Sequence, residues 1–369
     1  MTERGTSMRL ATRGSDLALR QAGTVRERLQ GRRLTVDLVE VETTGDELRE
    51  ELIHQLGTTG AFVRALDQRV LDGDVDAAVH SMKDMPTDQP PDLVVAGIPE
   101  RAPATDVLVT PDGTEFDDLP EGATIGTSSL RRKAQLLSAR PDLTVAALRG
   151  NVDTRVEKLL APARSREYTA RLDAEEATED DDEEQPDYDR TVEEWFDDLS
   201  EIERRSLERD VDTEYDAICL AEAGLERIGL AHHVHTERLD PTTFVPAPGQ
   251  GALAVTALDG DAAETIHEIL DHPRTRVETT VERTILAELG GGCVAPVGIY
   301  ARLQGEAVTT TVRVLSTDGT EEIGATRDLP VQRHAEAARE FAADLEERGA
   351  ATLIEQARRD QPDDAKRNQ

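Results

Sequence analysis

The sequence predicts an α/β protein with two units built on parallel sheets. A small α+β unit with a three-stranded antiparallel sheet follows them. Three observations carry this. Before residue 85, short apolar runs alternate with helix-period segments, and each run breaks off in polar residues. That is a βαβαβ pattern, whose crossovers give parallel sheets with helices on both faces. The same order of strand, polar turn and helix recurs twice between 123 and 160. Beyond 276 the pattern changes to one helix, three strand-like runs joined by tight turns, and a closing helical segment.

In chain order, Met8–Thr12 is a strand ending in Arg13-Gly14-Ser15. A helix follows over Asp16–Gln30, with Leu17, Ala18, Ala22, Val25 and Leu29 on one face, and Gly31 stops it. Leu34–Val41 is a second strand, ending in Thr43-Thr44-Gly45-Asp46. A Gly-rich loop over Gly57–Gly60 leads to a helix over Ala61–Asp72 and a strand over Val75–Val79. The stretch Asp76–Asp84, DAAVHSMKD, organises the whole chain. Its apolar run gives way at once to Ser81, Lys83 and Asp84, and Pro86 blocks a helix. Open α/β sheets place their sites beyond the carboxyl ends of strands. Asp84 beside Lys83 is a carboxylate held next to a fixed cation, which suits proton handling on a cationic intermediate. Right-handed crossovers bring Arg13, Ser15, Asp46, Ser81, Lys83 and Asp84 to one sheet edge.

Leu93–Ile98 and Asp106–Val109 read as strands crossing to the second unit. There Ala123–Gly126 ends in Thr127, Ser128 and Ser129, and the helix Leu130–Ala139 opens with Arg131, Arg132 and Lys133. Strand Leu143–Leu148 ends in Arg149, Gly150 and Asn151, and the next helix carries Arg155. Helix N-termini bind anions, hydroxyls add donors, and guanidinium forks match carboxylates. Cations at a helix N-terminus oppose its dipole, so this clustering in an acidic chain points to an anionic ligand. Residues 163–212 hold 21 acids and seven arginines. They read as a surface insertion, a solvated linker. Within it Asp173–Asp187 is expected to be disordered, and Thr191–Arg209 to be one polar helix carrying Trp195. Tyr215–Ala221 is a strand whose Cys219 is a core thiol, and Ala223–Gly229 is a short helix. Phe244–Val255 is a Pro- and Gly-rich segment returning to the first unit, with Gln250 at its turn.

The last third opens with a helix over Arg276–Leu289, which runs into Gly290-Gly291-Gly292-Cys293. Strands are expected over Val297–Leu303, Val308–Leu315 and Glu321–Asp328, then a helix over Ala335–Gln356. Cys293 follows a helix C-terminus, where the dipole does not lower a thiol pKa. It is better placed as a covalent tether than as a fast thiolate.

The chain has 369 residues and a formal net charge of −34. That balance excludes a general nucleic-acid binder, which needs clustered cations. Only four of the 42 basic residues are lysine. High acid, little lysine and few aromatics fit a halophile's cytoplasm, where molar salt shortens the Debye length to roughly 3 Å and self-repulsion is tolerated. No apolar stretch is long enough to span a membrane, and the N-terminus lacks a secretory h-region. Two cysteines cannot form a disulfide framework, so a reducing cytoplasm is the expected setting. No metal-ligand spacing is present.

Taken together, ATRGSDLAL (Ala11–Leu19), AVHSMKDMP (Ala78–Pro86), IGTSSLRRKAQL (Ile125–Leu136), LRGNVDTR (Leu148–Arg155), YDAICLAEAGLERIGL (Tyr215–Leu230), PAPGQGALAV (Pro246–Val255) and ERTILAELGGGCVAPVG (Glu282–Gly298) resemble the porphobilinogen deaminases, in order and over nearly the whole chain. The resemblance implies two doubly wound, periplasmic-binding-protein-like domains. These are 1–102 with 243–258, and 103–242. A cysteine-bearing third domain spans 259–360, and 361–369 is a disordered tail. It implies a dipyrromethane cofactor joined by a thioether to Cys293. Four porphobilinogen units add to this primer with loss of ammonia, and hydrolysis releases hydroxymethylbilane. Asp84 becomes the proton shuttle and electrostatic stabiliser. Lys83, Arg13, Arg131, Arg132, Arg149 and Arg155 hold the carboxylate arms; Ser15, Asp46, Ser81, Thr127, Ser128, Ser129, Asn151 and Gln250 complete the lining. The protein is expected to act as a monomer, away from membranes and nucleic acid. Two departures stand out: Thr58-Thr59-Gly60-Ala61-Phe62 lacks the family's lysine, and Pro103-Ala104-Thr105-Asp106 has alanine where arginine is usual. A small-molecule binding protein without chemistry is the rival reading, and the Asp84 and Cys293 pair argues against it.

Overall fold

The computed structural model describes residues 6–31, 34–41, 63–176, 188–290 and 295–359. The chain first forms β1 (Thr6–Arg13), α1 (Asp16–Leu29), β2 (Leu34–Val41), α2 (63–71), β3 (Ala77–Ser81) and β4 (Leu93–Gly97). It then crosses to β5 (Asp106–Thr110), β6 (Thr124–Gly126), α3 (Leu130–Ala139), β7 (Thr144–Ala146), α4 (Val152–Glu176), α5 (Val192–Asp198), α6 (Glu201–Leu207), β8 (Ala217–Ala221), α7 (Glu222–Arg227) and β9 (His235–Arg238). It returns as β10 (Leu253–Leu258) and α8 (Asp261–Leu270). The last third is α9 (Pro273–Glu288), β11 (Val297–Gln304), β12 (Ala307–Leu315), β13 (Glu322–Pro330), α10 (His334–Glu347) and α11 (Ala350–Arg359).

The two large sheets share one plan. Their orders are β2-β1-β3-β10-β4 and β7-β6-β8-β5-β9. In each, four strands run in one direction and one interior strand, fourth in the order, runs antiparallel to both its neighbours. That strand is supplied by chain arriving from the other sheet: β10 in the first, β5 in the second. The sheets are therefore mixed, not purely parallel as the βαβαβ pattern predicts. The crossing chain must enter each sheet against its grain, and local periodicity cannot reveal this. Helices cover both faces. In the first sheet Val25 of α1 and Ile266 of α8 pack on one side, and Leu66 and Val70 of α2 on the other. In the second, Val156 and Leu159 of α4 oppose Leu136 of α3. Cys219 lies in that core, where burial pushes its thiol up to about 12. The third unit packs α9 and α10 on the antiparallel sheet β11-β12-β13, with Ile285, Ile299, Val312 and Phe341 at its centre.

The crossing segments meet at Gly251. Its φ is +83°, and a Cβ there would lie 2.4 Å from the Ala102 carbonyl oxygen and 2.7 Å from that of Pro103. Only glycine allows this approach. Beside it Arg101 makes a bidentate pair with buried Glu282 of α9, at 2.8 and 3.0 Å. Glu282 also accepts from the backbone N–H of Gly249 and Ala301.

Several expectations are corrected. Residues 163–212 are not a solvated linker throughout: 163–176 continue α4, and α6 packs along α4 with Ile202 buried. Arg205 and Arg209 reach from this region to Glu157, which is fully buried in α4, each at 2.5 Å. The single helix expected over 191–209 is two, because Ser200 and Glu203 form a capping box that starts a new one. The helix expected over 335–356 breaks at Gly349, whose φ is +100°. Strand β9 and helix α8 were not anticipated. Most of Asp173–Asp187 lies outside the described residues.

Candidate functional site

A cleft of about 290 Å³ lies between the two large sheets, of the size small-molecule sites begin at. Of the three polar strand ends predicted to converge, those of β1 and β3 meet here. Arg13 and Ser15 come from the end of β1, and Ser81, Lys83 and Asp84 from the end of β3. Asn151, Arg155 and Arg132 face them from the second unit. Each position has a local cause. Ser15 caps α1, its hydroxyl accepting from Ala18 N–H, which fixes the turn after β1. Met82–Asp84 form a single 3-10 turn before Pro86, so the chain bends sharply as β3 ends. Gly150 has φ +121°, and a Cβ there would press on Thr154 at 2.8 Å. This glycine turn starts α4, and its carbonyl accepts from Arg155 Nε at 2.9 Å.

The cleft lining holds more cations than carboxylates. Burial lowers the Arg13 and Lys83 pKa values; Asp84 opposes both shifts, and Asp106 also opposes that of Lys83. Burial and the neighbouring Arg132 lower that of Arg155. An anionic ligand would restore what burial removes. Arg227, missed in the sequence, also lines the cleft, and burial lowers its pKa too. Its Nη2 donates to the Gly251 carbonyl at 2.7 Å. Its only sequence signal was a cation within the apolar run Tyr215–Leu230.

Other expected residues sit elsewhere. Arg131 and Gln250 do not line the cleft. Asp106, fully enclosed at the start of β5, accepts from Arg131 at 2.6 Å, from Arg132 at 2.8 and 3.0 Å and from Gln250 at 2.8 Å. Arg131 donates further to the Val245 carbonyl and Arg132 to that of Cys219. This hub ties α3 to both crossing segments, so Arg132 reaches the cleft wall while pinned from behind. The two guanidiniums hold the Asp106 carboxyl far below the usual carboxylate range. Thr127, Ser128 and Ser129 serve the backbone: Ser128 donates to the Leu148 carbonyl, Ser129 caps α3, and Thr127 accepts from Ser129 N–H. Arg149 is exposed beside the cleft rather than in its lining. Asp46, Cys293 and Thr58–Ala61 lie outside the described residues.

Comparison with known proteins bears on this cleft. Residues 8–175 and 201–266 match the model for "Porphobilinogen deaminase, dipyromethane cofactor binding domain", and 277–347 match its C-terminal domain. The chain belongs to the porphobilinogen deaminase family. It is an enzyme of tetrapyrrole biosynthesis by that membership. It is 53% identical to a probable porphobilinogen deaminase of Halobacterium salinarum, over 95% of this chain and 98% of that one. It is 38% identical to a porphobilinogen deaminase of Deinococcus radiodurans, over 95% and 98%. Among solved structures it is similar to a YaeC-family lipoprotein of Enterococcus faecalis at 13% identity and TM-score 0.35, covering 73% of this chain and 93% of that one. The unmatched stretch between the two family segments, 176–200, is narrower than the insertion read from composition. The remainder of 163–212 aligns with the family.

Proposed function

We propose that the cleft holds a dipyrromethane, thioether-linked to Cys293, and extends it by four porphobilinogen units before hydrolysis releases hydroxymethylbilane. One observation carries the reading. Asp84 stands at the end of β3 in a cleft that it shares with Arg13, Lys83, Arg132 and Arg155. A pyrrole bearing acetate and propionate arms fits that excess of cations, and so does a primer built of two such rings. Bound there, the primer would supply the free pyrrole carbon that the first unit joins, and each added ring would offer the carbon for the next. The chain's own residues do the rest. Arg13, Lys83 and Arg155 bind the carboxylate arms and orient the rings. Arg132, pinned by Asp106, offers a fixed donor on the opposite wall. Asp84 takes and returns protons as ammonia leaves, and its carboxylate stabilises the cation formed on the substrate.

Asp84→Asn tests this. It keeps the shape of the side chain and one acceptor oxygen but neither charge nor basicity. Turnover should fall by roughly a hundredfold or more with the covalent primer still attached; near-normal turnover would remove Asp84 from the mechanism. The same reading places the enzyme in a salt-rich cytoplasm as a monomer. Among the described residues no helix is long and apolar enough to cross a membrane.

A further inference from the structure

Arg283 lies on α9, in the third unit, yet its guanidinium grips the turn that carries Asp84. Nη1 donates to the Met82 carbonyl at 3.4 Å and to that of Met85 at 3.1 Å, and Nη2 donates to that of Pro86 at 2.7 Å. These three acceptors flank Asp84 on both sides. A single-turn 3-10 segment ending against Pro86 has few intrinsic bonds to hold it; here only Met85 N–H closes the turn onto Met82. One rigid fork satisfying three carbonyls fixes the turn as no flexible ammonium can. The adjacent residue, Glu282, holds Arg101 and Gly249 of the two crossing segments. The helix then ends at Glu288, capped by Leu289, and Cys293 follows five positions after its last residue.

We propose that Arg283 is a positioning residue: it sets the place of Asp84 and locks it to the helix that leads to the cofactor cysteine. This rests on the reading of Asp84 given above. Through this clamp, a shift of α9 as the bound chain lengthens is transmitted to the turn that handles protons.

The test uses the full-length holoenzyme with Arg283→Met, Arg283→Lys and Asp84→Asn, alone and combined. Primer content is read by intact mass and local order by hydrogen exchange. Arg283→Met should keep the primer and melting temperature. Exchange of the amides over 82–87 should rise about tenfold or more as local opening becomes easier. It should lower kcat by roughly ten- to a hundredfold, the cost of displacing a reacting group by about an ångström, with KM changed far less. Arg283→Lys should recover little, and added guanidinium should restore part of the Arg283→Met activity. In the Asp84→Asn background Arg283→Met should cost almost nothing more, because both act through one group. Unchanged exchange and kcat in Arg283→Met, or a fully additive loss in the double variant, overturns the clamp. Failure of the underlying reading shows separately, as near-normal turnover in Asp84→Asn alone.

Discussion

Replacing Asp106 with asparagine should be among the most damaging single changes in this protein, though no substrate atom is expected to touch it. Its carboxylate is 1% exposed and accepts from Arg131, Arg132 and Gln250. Arg131 Nε already has no hydrogen-bond partner among the described residues. With asparagine, two buried guanidiniums lose the one carboxylate that pairs with them among the described residues and keep carbonyl partners. Breaking one buried pair from one side costs about 3–5 kcal/mol. Two pairs share this carboxylate, so the loss should sit at the upper end, about 5 kcal/mol. Urea unfolding of both proteins in molar KCl, read as the change in midpoint at constant slope, measures it. The pH dependence carries its own sign. The folded carboxyl is held well below its ordinary value of 3.8. Its stabilisation is therefore complete above that unfolded value and drains away as pH falls below it, toward the folded value. The deficit of Asp106→Asn should be constant above about pH 5 and narrow below about pH 4. A deficit under about 1 kcal/mol, or one growing toward acid, would refute the hub as a source of stability.

Two further outcomes are expected. Burial lowers the Lys83 pKa below its ordinary value of 10.5, so carboxylate binding favours its charged form and must take up protons. Affinity for porphobilinogen should fall as pH rises through the lowered value, and Lys83→Arg should move that fall to higher pH, read by titration calorimetry across the alkaline range. Replacing 177–190 by a short Gly-Ser linker should leave turnover within about twofold. Removing all of 163–212 should destabilise the protein, because it strips Arg205 and Arg209 from buried Glu157; thermal melts of the two deletions decide the matter.

Much of this architecture was legible because the chain announces its strand ends. Apolar runs stop abruptly at Arg13, Ser81 and Thr127, and the helix expected after the last of them is α3, which Ser129 caps. What escaped lacked a local signal. Strand β9 is His-Thr-Glu-Arg, polar and largely exposed, and it exists only through its pairing with β5. The break at Ser200 was available in the sequence as a Ser-x-x-Glu box and was passed over. Composition made 163–212 look uniform, although Glu157, Arg205 and Arg209 sew part of it to the core. In the cleft, the cationic character was readable, but not which arginines face the ligand. Arg131 and Arg132 are neighbours on one helix, and both turn to Asp106, a residue distant in sequence. Arg227 is the lone arginine of α7 and Arg283 one of three on α9, and nothing local separates them from surface charges.

The central claim is a covalent primer on Cys293. Intact mass of the purified protein under denaturing conditions tests it most directly, with Cys293→Ala beside it and both weighed again after incubation with porphobilinogen. The account predicts an excess equal to two condensed pyrrole units on the native chain, none on Cys293→Ala, and further additions only to the former. A native chain that stays at its sequence mass after incubation, or a Cys293→Ala chain that carries the same excess, would contradict it.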